Sequence, residues 1–243
     1  MRRVFADMHL CINLKDQQAS QQLIKRAANL GYNTVSVSFN RVPAEEETAK
    51  LRAICNAADV DFVSRADFSP RTENELTSFL RKFRRRFEVI CISCDNKEVS
   101  RQAAKDRRVD LLNFRSLDFR RRFFDRAEAE LASCGLASLE VDVKPLLILE
   151  GPPRVRLLTS LRREVAVAKE FKVPIVLSSG AGEARLMRTP KDMSSLAYLF
   201  GLDEASALDA VSTNPALIIA RNRTKLNQRF VAPGITVIKE GKL

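Results

Sequence analysis

Short apolar runs alternate with amphipathic stretches along almost the whole chain. Seven runs read as strands: "RRVFAD" (2–7), "TVSVSF" (34–39), "VDFVSR" (60–65), "EVICIS" (88–93), "VDLLNF" (109–114), "ASLEVDV" (137–143) and "PIVLSS" (174–179). They are short and rich in Val, Ile, Leu and Phe, as strands buried on both faces are. The stretches between them repeat at helical period and carry start and stop signals. "DQQASQQLIKRAANLG" opens at the capping acid Asp16 and stops at Gly31. "TENELTSFLRKFRRRF" opens with Thr72 and Glu75 at capping-box spacing and sets Leu76, Phe79, Leu80, Phe83 and Phe87 on one face. "DFRRRFFDRAEAELA" (118–132) predicts a helix that buries Phe119, Phe123, Ala127 and Leu131 and turns Arg120, Arg121 and Arg122 outward. "VRLLTSLRREVAVAKEF" (155–171) predicts another, and "TPKDMSSLAYLFG" (189–201) has Thr189 as cap, Pro190 in the first turn and Gly201 as stop.

Strand and helix in alternation predict parallel strands joined by right-handed crossovers. For 243 residues the matching class is α/β, a TIM-barrel-like (β/α) barrel of seven or eight parallel strands. One domain is expected over 1–222, with 223–243 as a tail that can fold back as an edge strand. A doubly wound open sheet is the alternative. It is weakened by "MHLCINLKD", which stands where a glycine-rich dinucleotide turn would follow strand one. No apolar run approaches the ~20 residues of a membrane span, and the start lacks a signal-peptide stretch, so the expected location is cytoplasmic with no membrane partner.

Barrel chemistry sits at the C-terminal ends of strands. Those positions hold Asp7 and His9, Asn40 and Arg41, Arg65 and Asp67, Asp95 and Asn96, Arg115, Asp142 and Lys144, then "SSGAGEAR" (178–185). Strand alternation places Asp7 and His9 on one face, where metal-dependent hydrolases carry their first pair of ligands. The chain has one histidine in all, too few for a two-metal site. The acids Asp7, Asp95, Glu140 and Asp142 could hold Mg²⁺, or pair with Arg65 and Arg115. Cys11 lies on the strand face of His9, a poor substitute for a spatially assembled nucleophile and base. The five cysteines are scattered. Cys91 and Cys94 form one C-x-x-C without a second pair, so all five read as reduced thiols, mostly in the core.

Charge changes the picture. The net charge is +11, and residues 81 to 126 hold 15 Lys or Arg against 7 Asp or Glu. Such a field implies a polyanionic partner. "RKFRRRF", "KDRRVD" (with Arg107 and Arg108) and "FRRRFFDR" fall on successive helices and could merge. The small residues of "SSGAGEAR" would expose N–H groups at Ser179 and Gly180 to a phosphate, with Arg185 and Arg188 near and Arg65, Arg115 and Lys144 around them. With no Trp and 2 Tyr there is little to stack bases on, so binding should read backbone and shape, as for structured RNA.

Six of these segments together resemble the ribonuclease P protein component 3 family: "FADMHLC", "VSRADFSP", "VDLLNF", "EVDVKPLL", "SSGA" and "ALDAVSTNPALII" (207–219). The likeness covers about residues 1 to 222. It implies a barrel related to metal-dependent phosphoesterases of the polymerase and histidinol phosphatase type, with the metal site lost. Asp7 stands where those enzymes carry the first histidine of a His-x-His, which leaves Asp7, His9, Glu140 and Asp142 as a vestigial site with no metal and no catalytic residue. The resemblance also implies an RNA-binding subunit of ribonuclease P, the tRNA-processing endoribonuclease whose RNA removes the 5′ leader from precursor tRNA. It implies Mg²⁺ needed by that RNA, contact with precursor tRNA only indirectly, and a small ferredoxin-like protein subunit as partner. Two readings compete: a standalone phosphoesterase barrel holding Mg²⁺ or Mn²⁺ at Asp7, His9, Glu140 and Asp142, and a scaffold whose basic helices bind an acidic protein.

Overall fold

The first strand does not begin where the apolar residues do. In the computed structural model, which describes residues 3–13, 16–227, 229–232 and 235–236, β1 spans Ala6–Leu10. There follow α1 (Gln17–Asn29), β2 (Thr34–Phe39), α2 (Glu45–Ala57), β3 (Asp61–Phe68), α3 (Glu73–Phe83), β4 (Val89–Ser93), α4 (Lys97–Lys105), β5 (Leu111–Asn113), α5 (Arg126–Cys134) and β6 (Ser138–Asp142). The chain continues through α6 (Lys144–Ile148), α7 (Gly151–Glu170), β7 (Ile175–Ser178), α8 (Pro190–Ala197), α9 (Glu204–Ala210), α10 (Thr213–Leu226), β8 (Phe230–Ala232) and β9 (Ile235–Thr236). Side chains of Asp16, Thr72, Asn96, Asp125, Thr189 and Asp203 each accept a first-turn N–H, so the helix starts are written in local chemistry.

Strands β1 to β7 lie side by side in chain order, all parallel, and the sheet curls until its ends nearly meet. Closure is made at the mouth, where Leu10 bridges Ala181 and the Cys11 N–H donates to the Ala181 carbonyl at 2.9 Å. At the other end the seam between β1 and β7 is filled by the α9–α10 turn. There the Ala6 N–H donates to Val211 O (3.0 Å) and Asn214 Nδ2 to Ile175 O (2.8 Å). This turn does the work of an eighth strand. Inside the barrel, Ala6, Met8, Val63, Val89, Cys91, Leu111 and Val176 pack on Ile218 and Ile219 of α10, which forms the floor. Outward strand residues such as Val35, Val37, Ile90 and Ile92 pack against the helical shell through Leu23, Leu51, Leu76, Leu80 and Val99.

Two expectations need adjustment here. Residues 118–132 do not form one helix. Asp125 adopts an extended conformation and caps Glu128 N–H at 2.9 Å, so α5 starts afresh at Arg126, after a single 3₁₀ turn at Phe119–Arg121. Ala127 is consequently exposed, and Arg122 turns inward to Glu164 with two 2.6 Å bonds. Next, α10 runs four residues past 222. Its Arg223 pairs with Asp61 (2.8 Å) and Glu88 (2.7 Å), tying that part of the presumed tail to the floor. Beyond it β8 and β9 pair with each other, antiparallel, rather than extending the barrel sheet. The rest of the expected edge strand, 237–243, lies outside the described residues. The C-x-x-C reads as expected, two free thiols in the core, with Cys91 inside the barrel and Cys94 in the outer core.

Candidate functional site at the barrel mouth

The pairing of Asp7 with His9 is broken by one extra residue. Asp7 pairs with Val35 but Leu10 with Val37, so β1 carries three steps where β2 carries two. Such a bulge reverses which residues face inward. Asp7 therefore stays with Val35 at the seam with β7, where its Oδ1 accepts the N–H groups of Ser179 (2.9 Å) and His9 (3.2 Å). Its Oδ2 is buried without a partner. Burial lifts this carboxyl above its ordinary range, against the lowering effect of those hydrogen bonds. His9 instead enters the mouth.

A guanidinium stands at the centre of that mouth. Arg65, on β3, is fully buried, and its Nη1 and Nη2 donate to the two oxygens of Glu140 at 2.5 and 2.7 Å. Nη2 also reaches Asp67 Oδ1 (2.8 Å), and Nη1 the Met8 carbonyl (2.6 Å). Glu140 further accepts from Ser178 Oγ (2.6 Å) and Asn113 Nδ2 (2.8 Å). Asn113 Nδ2 also donates to Asp142 Oδ2 (3.0 Å), whose Oδ1 lies 2.8 Å from His9 Nδ1. His9 Nε2 faces Asp67 Oδ2 at 3.6 Å and Cys11 Sγ at 3.4 Å. Asp67 completes its set with Ser38 Oγ and Arg115 Nη2.

This network fixes the protonation states. Burial and the nearby Arg65 push His9 toward neutrality, but Asp142 outweighs them and holds the imidazole well above its ordinary value. Burial works against the Asp67 and Asp142 carboxylates as well. Arg65, His9 and Arg115 hold Asp67 far below its usual range, and His9, Arg65 and Asn113 lower Asp142. Three cations (Arg65, His9, Arg115) thus answer three carboxylates (Asp67, Glu140, Asp142).

His9, Glu140 and Asp142 offer donor atoms within 4.8 Å of one another, close enough for one metal ion. The donor set does not fit one. Both Glu140 oxygens are occupied by Arg65, Ser178 and Asn113, and the protonated imidazole has no free lone pair. Arg65 already supplies Glu140 with the positive charge that a divalent cation would bring. The pairing of barrel acids with Arg65 and Arg115, one of two outcomes open from the sequence, is the one the structure adopts. Asp7 and the exposed Asp95 stay outside it.

A cavity of about 310 Å³ opens above, lined by His9, Cys11, Arg115, Asp142, Lys144 and Gly180 among others. Of the residues expected to meet RNA, Arg65 must be withdrawn, because it is wholly buried and bound to Glu140 and Asp67. Ser179 and Gly180 must be withdrawn as a phosphate cradle. Both are buried, and the Ser179 N–H is turned onto Asp7. Arg115 and Lys144 line the mouth, Arg185 is exposed beside Glu183, and Arg188 donates to the carbonyls of Arg185 and Met187. Arg107 and Arg108 lie at the opposite end of the barrel, in the turn before β5. The expected set therefore does not form one surface. Gly180 does matter to the mouth, because its φ is +62° and an added Cβ would stand 3.2 Å from Asp142 Cγ. Gly180→Ala should cost about 1–3 kcal/mol in urea unfolding. A cost below about 0.5 kcal/mol would mean that Asp142 is free to move.

Sequence and structure comparisons agree with this geometry. The profile of the family described as RNase P subunit p30 matches residues 4–227. Ribonuclease P protein component 3 of Methanosarcina barkeri is 29% identical over 222 residues, 90% of each chain. That of Methanosarcina acetivorans is 34% identical over 166 residues, 68% of each. A chain in a cryo-EM structure of archaeal ribonuclease P with mature tRNA superposes with a TM-score of 0.84 at 22% identity, covering 98% of this chain and 100% of that one. Among the described residues no helix is long and apolar enough to cross a membrane. With a barrel whose mouth is neutralised from within, and a family match over nearly its whole length, the chain belongs to the RNase P subunit p30 family and is a protein subunit of ribonuclease P.

Proposed function

We propose that this subunit binds the RNA of ribonuclease P and supports it in removing the 5′ leader from precursor tRNA, supplying charge and shape and no reacting group. The observation that carries this reading is the mouth network, in which Asp67, Glu140 and Asp142 are each held by Arg65, His9, Asn113 or Arg115. The net charge of +11 supports it from the other side, since lysines and arginines on a rigid body displace counterions from RNA phosphates. Fewer Mg²⁺ ions are then needed to fold the catalytic RNA, and Mg²⁺ belongs to the RNA. The candidates for phosphate contact are the exposed Arg107, Arg115 and Arg185 and the half-buried Lys144. Partners are ribonuclease P RNA, a small ferredoxin-like protein subunit and, indirectly, precursor tRNA.

Reconstitution at limiting Mg²⁺ tests this. Leader cleavage should require both the RNA and this protein with its small partner. Arg115→Ala should lower that activity while its unfolding midpoint stays near that of the parent chain, because Arg115 is 40% exposed at the rim. Cleavage indifferent to the protein would end the proposal.

A further inference from the structure

Unbalanced charge collects on the floor of the barrel, at the end opposite the mouth. Three segments meet there: the turn after α3 (Arg84, Arg85, Arg86), the turn before β5 (Arg107, Arg108) and the last turns of α10 (Arg221, Lys225). Their anchor is the buried Asp110. It accepts from Arg84 Nη1 (2.6 Å), Arg221 Nη2 (2.9 Å) and the Ile90 N–H (2.9 Å). Arg84 also reaches the Arg108 carbonyl (3.3 Å), and Arg108 is itself paired with Asp106 at 2.6 Å. Six cations (Arg84, Arg107, Arg108, Arg221, Arg223, Lys225) thus face four carboxylates (Asp61, Glu88, Asp106, Asp110), with Arg85 and Arg86 exposed alongside. Arg107 and Lys225 are exposed and have no carboxylate partner among the described residues. Partial burial first, and then Arg221, Arg84 and Arg107 against Asp110, hold the Lys225 ammonium below its ordinary value.

We propose that this floor, rather than the mouth, is the principal RNA-docking face. Arg107 and Lys225 grip phosphates of structured RNA there, and the Arg84–Asp110–Arg221 bracket holds the two segments in register. The inference rests on the ribonuclease P reading. Two contrasts favour RNA here. At the mouth three carboxylates cancel Arg65, His9 and Arg115, so of the lining cations only Lys144 is left over for a polyanion. On the floor, segments 84–87, 105–108 and 221–225 expose no apolar side chain, whereas a protein partner needs an apolar core with aromatic anchors. A phosphate backbone needs only spaced cations.

The test is equilibrium binding of the full chain to ribonuclease P RNA between roughly 50 and 300 mM KCl. Arg107→Glu with Lys225→Glu should bind about ten- to a hundredfold more weakly near 150 mM, with a log–log salt slope shallower by about two. Arg107→Gln with Lys225→Gln should fall between, and guards against misfolding by charge reversal. Arg115→Gln with Lys144→Gln, at the mouth, should lose less than the floor pair. Parent-like affinity and slope in both floor variants, while the parent chain binds, would overturn the floor assignment alone. So would a larger loss at the mouth, or loss of binding to polyglutamate with RNA binding kept, which would mark an acidic protein as the ligand. A parent chain that does not bind the RNA at all would instead overturn the ribonuclease P RNA reading beneath it.

Discussion

Arg65→Ala should cost about 3–5 kcal/mol of stability, read as a lower urea midpoint with an unchanged slope. The loss comes less from missing contacts than from what is left behind. Glu140 is fully buried and Asp67 nearly so, and Arg65 is the only guanidinium that touches Glu140 among the described residues. Without it, a carboxylate stays in the core with only Ser178, Asn113 and Cys91 to donate to it. Lysine cannot substitute, because one ammonium cannot make a two-pronged bond to Glu140 and also reach Asp67 and the Met8 carbonyl. The diagnostic is a rescue. Arg65→Met combined with Glu140→Gln and Asp67→Asn removes the orphaned charges and should recover most of the loss. A single Arg65→Ala costing under about 1 kcal/mol would show that water or a mobile cation already shares that space.

The second large effect lies outside the mouth network, at Glu128 in the first turn of α5. It occupies the third position of a helix opened by Asp125, where a glutamate normally bonds back to the cap's N–H. Here that N–H is taken by the Phe123 carbonyl (2.7 Å), and both Glu128 oxygens are buried without partners. Burial first, then Asp125, push its acid up to about 8, against Arg101 and Lys97. The sign follows from linkage. The folded chain holds this proton up to about pH 8 while the unfolded chain releases it near 4.5, so stability falls as pH rises between the two. Glu128→Gln should match the parent near pH 4.5 and exceed it by roughly 2–4 kcal/mol at pH 8, somewhat below the ~5 kcal/mol of the full shift. Equal pH–stability curves for the two chains would refute the assignment.

Much of the barrel was legible because its signals are local. Asp16, Thr72 and Thr189 announce helix starts within three residues, and six of the seven apolar runs sit on or around their strands. The mouth was legible only by residue type. Strand parity assumes that no residue is inserted, and nothing in "ADMHLC" marks the bulge that parts Asp7 from His9. The burial of Arg65 depends on Glu140, 75 residues away, so an arginine at a strand end read both as a partner of the barrel acids and as a phosphate ligand, and only the first reading fits the core's own counter-ion. In "FRRRFFDR" the phenylalanine spacing suggested a helix through Asp125, but a capping acid with a free side chain ends one segment and starts the next. Of the floor, the basic runs "RKFRRRF" and "KDRRVD" were read as parts of one patch, but not the share of α10, because Arg84 and Arg221 meet at Asp110 across 137 residues of chain.

Because the floor is Ile218 and Ile219, the barrel is closed by almost the last helix to be made. On the ribosome all seven strands exist once Ser178 has been added, yet Met8, Val63, Val89 and Leu111 then line a tube open at one end. The forty or so residues that follow take roughly 2–8 s to synthesise. For that interval the nascent subunit presents a wet apolar lining to chaperones and proteases. A stop or a stall upstream of α10 should therefore yield a chain that is cleared by quality control instead of a shortened but assembled subunit.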